Sequence, residues 1–144
     1  MKLDRFRSPL RVLMGVLFIL AGVMHFVRLQ FYLNIMPPFL PYHLELVYIS
    51  GVLEILGGFG VLIPSFRRFS GYGLIGLLIA VFPANIYMLT HNIEVVGFTQ
   101  FTYMLILRLP LQLIFIAWVY WCTISKSIAD LNHEDHEEHE VLLK

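Results

Sequence analysis

The sequence predicts an all-α integral membrane protein whose four spans form one helical bundle. Three observations predict it. Hydrophobic residues make up 58% of the 144 and charged residues only 14%, whereas a soluble domain carries nearer a quarter charged. The mean hydropathy is +0.76. Four stretches each approach the roughly 20 apolar residues a helix needs to cross about 30 Å of hydrocarbon. A chain of 144 residues leaves room for one domain.

The first span is expected over residues 9–27, through RVLMGVLFILAGVMHFV, after a basic start. A cleavable leader is the rival reading. No small-residue cleavage site follows the apolar run, and His25 and Arg28 stand where one belongs, so the stretch reads as a retained span. A proline-rich loop comes next, FYLNIMPPFLPYH over 31–43, in which Pro37, Pro38 and Pro41 block a regular helix. Its apolar and aromatic side chains suit either an interfacial anchor or a lid folded over the bundle mouth. The second span is expected over 46–64, LVYISGVLEILGGFGVLIP, and the third over 69–89, FSGYGLIGLLIAVFPANIYML. A loop over 90–102 leads to the fourth, 103–124, YMLILRLPLQLIFIAWVYWCTI. Residues 125–144 change composition abruptly and read as a solvated acidic tail. Its His133, His136 and His139 stand among carboxylates, but that spacing does not define a tetrahedral metal site.

Charge placement gives the spans a direction. Lys2, Arg5, Arg7 and Arg11 lie at the start, Arg67 and Arg68 mark the second turn, and Lys126 follows the last span. The two opposite loops hold Arg28 alone. The positive-inside rule therefore puts both termini in the cytoplasm. Zero net charge argues against a nucleic-acid partner. With Cys122 as the single cysteine there is no dithiol to exchange, and the thiol reads as a small core hydrophobe. No zinc pattern, phosphate loop or Ser–His–Asp arrangement appears in the spans, so no catalytic residue is named.

Candidate site residues are the polar ones that lipid should reject: His25, Glu54, Asn85, Arg108 and Gln112. A charge at the centre of a span costs a few kcal/mol even on the lenient scale, so such residues face the bundle interior. Small residues mark the faces they share. Gly15, Phe18, Gly22 and His25 fall on one stripe, Gly51, Glu54 and Gly58 on another, and Gly73, Gly76, Ala80 and Ala84 beside Asn85 on a third. Arg108 and Gln112 bracket Pro110 one turn apart. Counting 1.5 Å per residue brings these groups together in the outer half of the bundle. As the only opposite charges buried in the spans, Glu54 and Arg108 are expected to pair.

The same segments resemble the DoxX-like family of small bacterial four-span membrane proteins, which includes DoxX, DoxD and, more remotely, MauE. The resemblance is carried by A-G-V-M-H-F, M-P-P-F-L-P, Y-I-S-G-V-L-E-I-L-G-G-F-G-V-L-I-P, F-P-A-N-I-Y-M and L-R-L-P-L-Q followed by Trp118, over residues 9–121. It implies a four-helix bundle in the bacterial plasma membrane and an association with redox physiology. It supplies no agreed catalytic set. The expected function is a redox-associated membrane subunit that binds a quinone or another lipid-soluble molecule, with redox-enzyme partners or a homo-oligomer in the lipid bilayer. A scaffold for partner proteins and a small-metabolite carrier are the alternatives.

Overall fold

The structure is a computed structural model that describes residues 2–125, with side chains from Phe6 onward. The histidine-bearing tail expected over 125–144 lies outside the described residues after Ser125. Among the described residues all regular structure is helical: α1 Lys2–Val27, α2 Leu29–Asn34, α3 His43–Leu62, α4 Arg67–Val96 and α5 Gln100–Thr123. Four of these (α1, α3, α4 and α5) are long and apolar enough to cross a membrane. The surface they expose is itself apolar, with Leu20, Leu56, Ile79 and Leu107 all more than half exposed. The chain is an all-α, multi-pass membrane protein.

Neighbouring long helices run antiparallel and form a ring in the order α1, α3, α4, α5. The α1–α3 contact is extensive and the α1–α5 contact that closes the ring is light. Backbone approach explains the tight side. A Cβ built on Gly22 would stand 2.6 Å from the Gly51 carbonyl oxygen, and one on Gly58 2.7 Å from that of Gly15. Only glycine admits so close a crossing, and close crossings are how helices pack when the surroundings are as apolar as they are. The third expected stripe divides. Gly73 and Gly76 face outward with open space around them, whereas Ala80 and Ala84 line a cavity of the interior; Gly71 and Leu74, outside the stripe, are buried. Gly71 lets α4 approach Thr123 of α5.

The helix ends correct the expected boundaries. α4 does not stop near Leu89 but continues to Val96, so the loop expected over 90–102 shrinks to 97–99. The polar run Thr90–Asn92 lies within the helix and does not end it. Termination takes Gly97, at φ 78°, followed by Thr99 as the N-cap of α5. Thr102 is fully buried there. Its Oγ1 lies 2.7 Å from both Asn92 Oδ1 and the Gly97 carbonyl, which share its one proton. α4 and α5 also run unbroken through Pro83 and Pro110.

The bundle has two unlike halves. Toward the termini Met14, Phe18, Val61, Leu74, Val119 and Cys122 form a packed apolar core. Toward the far end the interior is hollow, and α2 with the proline loop covers it.

Candidate functional site

The proline loop is built inward on one side and outward on the other. Pro37 is fully buried, and its carbonyl oxygen accepts from His43 Nε2 at 2.9 Å. A carbonyl has no proton to give, so His43 must carry its proton on Nε2 in this contact. Phe39 reaches Tyr87 of α4 edge-on, with centroids 5.5 Å apart. Tyr42, held at φ 58°, turns the chain into α3. Ile35, Met36 and Leu40 line the cavity beneath, while Phe39 and Tyr42 are 68% and 74% exposed. The inner side chains thus cover a cavity, as a lid would, and the outer ones are exposed.

Beneath the loop lies a cavity of about 350 Å³ whose walls include His25, Tyr32, Glu54, Asn85 and Arg108. A second cavity of about 350 Å³ runs between Leu17 and Ala21 of α1 and Leu111 and Phe115 of α5. Its walls also take in Glu54, Asn85, Arg108 and Gln112. The two cavities share Glu54, Val81, Asn85 and Arg108. Two apolar spaces therefore meet at one polar waist, and the second follows the lightly packed α1–α5 seam.

Four of the five candidates line the first cavity, and Gln112 joins Asn85 in the second. Asn85 Nδ2 donates to Gln112 Oε1 at 2.7 Å, and Gln112 Nε2 donates to the Leu78 carbonyl. Each of the two is at most 8% exposed, so this pair clamps α4 to α5. The expected Glu54–Arg108 pair is not formed. Glu54 instead faces His25, with Oε2 and Nδ1 4.0 Å apart. That separation exceeds a hydrogen bond, and both atoms are buried with no hydrogen-bond partner. The reason is topological: α3 and α5 stand diagonally across the ring, and the cavities lie between them. Arg108 borders both cavities and is exposed.

Tyr32 is a site residue that sequence reasoning missed. Its ring meets His25 edge-on, with centroids 4.0 Å apart and planes at 89°. Burial, with the Glu54 charge adding to it, raises its phenol above the ordinary tyrosine value, while Arg108 opposes the shift. The phenol therefore stays a neutral O–H across the physiological range. No spacing announces this contact, because it exists only once Arg28 breaks the helix and α2 folds back over the bundle.

Chemically, the first cavity offers guanidinium donors, one unpaired carboxylate oxygen, one unpaired imidazole nitrogen and a phenol, among largely apolar walls. That combination suits a molecule with hydrogen-bonding groups on an otherwise apolar body. Neither a curated protein nor a solved structure matches the chain. A family model does match residues 14–123, which takes in every residue of the two cavities, and the chain belongs to that family, described as a domain of unknown function (DUF8561).

Proposed function

We propose that this protein is a redox-associated subunit of the bacterial plasma membrane that binds a quinone-like, lipid-soluble molecule, with both termini in the cytoplasm. The observation that carries the reading is the pair of apolar cavities meeting at Glu54, Asn85 and Arg108. A quinone has a flat head with carbonyl acceptors and a long apolar tail. The head fits the cavity beneath the loop, where Arg108 supplies donors and Tyr32 and Met36 supply walls. The tail leaves through the second cavity toward the α1–α5 seam. The resemblance to DoxX-like proteins supports the redox setting, and the Lys/Arg asymmetry supports the orientation.

Reduction of a quinone to a quinol takes up two electrons and two protons. His25 and Glu54 stand at the cavity with an unpaired nitrogen and oxygen, the two atoms able to hold and pass a proton there. The electrons come from a partner redox enzyme, because a single cysteine gives the chain no dithiol of its own.

The test is titration of the purified protein in detergent with a long-tailed quinone, followed by quenching of its tryptophans. Saturable binding is expected, weakened by about tenfold or more in Arg108→Ala, the loss of one charge-assisted hydrogen bond. Absence of saturation, or an Arg108→Ala curve that overlays the wild type, refutes the reading.

A further inference from the structure

The clamp between α4 and α5 also decides which atom Asn85 shows to the cavities. Gln112 Nε2 donates to the carbonyl of Leu78. A backbone carbonyl only accepts, so Gln112 must present its amide nitrogen there and its Oε1 elsewhere. That oxygen lies 2.7 Å from Asn85 and also only accepts, so Asn85 must present Nδ2 to it. Both amides are locked against turning over, because a flip of either one sets two acceptors face to face among buried groups.

What remains is Asn85 Oδ1. Among the described residues nothing donates to it, and it is not sealed in as His25 Nδ1 and Glu54 Oε2 are. Asn85 is 8% exposed and borders both cavities, so Oδ1 is the atom it offers a ligand. An amide oxygen has lone pairs and no proton to give. The waist therefore carries an oriented acceptor beside the Arg108 guanidinium, which only donates.

We propose that the site takes its lipid-soluble ligand in a hydroxyl-bearing form, a quinol in preference to the quinone. Asn85 Oδ1 accepts the ligand's O–H, and Gln112 is the positioning residue that holds it in that orientation. The inference rests on the quinone-like ligand proposed above and adds the redox state in which it is bound. A quinone offers two carbonyl oxygens and no proton, so it can satisfy Arg108 but sets an acceptor against Asn85 Oδ1. A quinol hydroxyl satisfies both, since it donates its proton and keeps lone pairs for the guanidinium. Among apolar walls an unmatched acceptor stays unpaired, and a site built around a hydroxyl rejects the analogue that lacks it. The preference is one of binding and needs no electron transfer within this chain.

The experiment titrates the full chain in detergent by calorimetry, anaerobically, with a long-tailed quinone, its quinol and the dimethyl ether of that quinol. The ether keeps both oxygens and deletes both protons. The quinol should bind about tenfold or more tighter than the quinone or the ether. Gln112→Leu frees the Asn85 amide to turn, and should bring the quinol and quinone affinities within about threefold of each other while binding persists. Asn85→Leu should do the same. Loss of packing alone would weaken all three ligands together and leave their ratio unchanged. If a variant does not fold, the wild-type ratio still decides. Equal wild-type affinities, or a tighter quinone, overturn the proposal and leave a quinone-like ligand standing, whereas no saturable binding by any of the three overturns both. An unchanged ratio in the folded variants overturns the role given to Asn85 and Gln112.

Discussion

At the scale of single residues, the spans reject polar groups so strongly that a polar residue in them announces an interior position, but not its partner. His25, Asn85 and Gln112 are at most 8% exposed, as burial cost demands. Their pairing was not legible, because it depends on which helices become neighbours in the ring. Glu54 and Arg108 looked like partners by elimination of other charges, yet the diagonal between α3 and α5 keeps them apart. Asn85 and Gln112 carried no charge to betray them, yet they make a buried side-chain hydrogen bond between α4 and α5, at 2.7 Å. The consequence can be measured with a double-mutant cycle. Asn85→Leu and Gln112→Leu should each lower stability, and their coupling should be about 0.6–1.7 kcal/mol, the range for hydrogen bonds between membrane helices. Unfolding in mixed micelles reads it. Strictly additive costs would mean that the contact holds no energy and that each side chain acts alone.

At the scale of elements, composition located the four spans to within a few residues at most ends, because a run of apolar side chains has only the membrane to go into. The clear miss was the end of α4. At about 1.5 Å per residue its 30 residues extend about 45 Å, well beyond the roughly 30 Å of hydrocarbon. Hydropathy reports where a helix leaves lipid, and only Gly97 and the Thr99 cap report where it stops. Small residues raised a similar ambiguity. Period alone gave Gly22, Gly58, Gly73 and Gly76 equal standing, but a Cβ would collide at the first two and meet nothing within 4 Å at the last two. Gly22→Leu and Gly58→Leu should therefore each destabilise the bundle by about 1–3 kcal/mol or more through overpacking. Gly73→Leu and Gly76→Leu should leave it within about 0.5 kcal/mol, or stabilise it slightly through helix propensity. Retained melting temperature in Gly22→Leu, or its collapse in Gly76→Leu, would show that the α1–α3 crossing is not where the fold is held.

For the whole molecule, the decisive feature is a ring closed tightly on three sides and lightly on the fourth. Nothing in the sequence distinguished the α1–α5 seam, since all four spans are similarly apolar. The second cavity follows this seam, and in the proposed function it is the route by which a ligand's tail passes from the waist toward lipid. Such a tail gains almost no hydrophobic energy, because the bilayer it leaves is as apolar as the channel it enters. On the proposed reading the seam acts by permission: it decides whether a tailed molecule can seat its head at all. Ala21→Trp, which adds a large side chain to the wall of that cavity, should obstruct the tail while leaving the cavity beneath the loop open. Binding of a long-tailed quinone should weaken about tenfold or more, whereas a head-only analogue should bind within about twofold of wild type, tenfold being about 1.4 kcal/mol. Leu107→Trp is the matched control, since Leu107 is 64% exposed on the same α5 and borders neither cavity; it should alter neither affinity. Equal loss for tailed and tail-less molecules in Ala21→Trp would assign the second cavity to the head or to packing, and would close the seam as an exit for the tail.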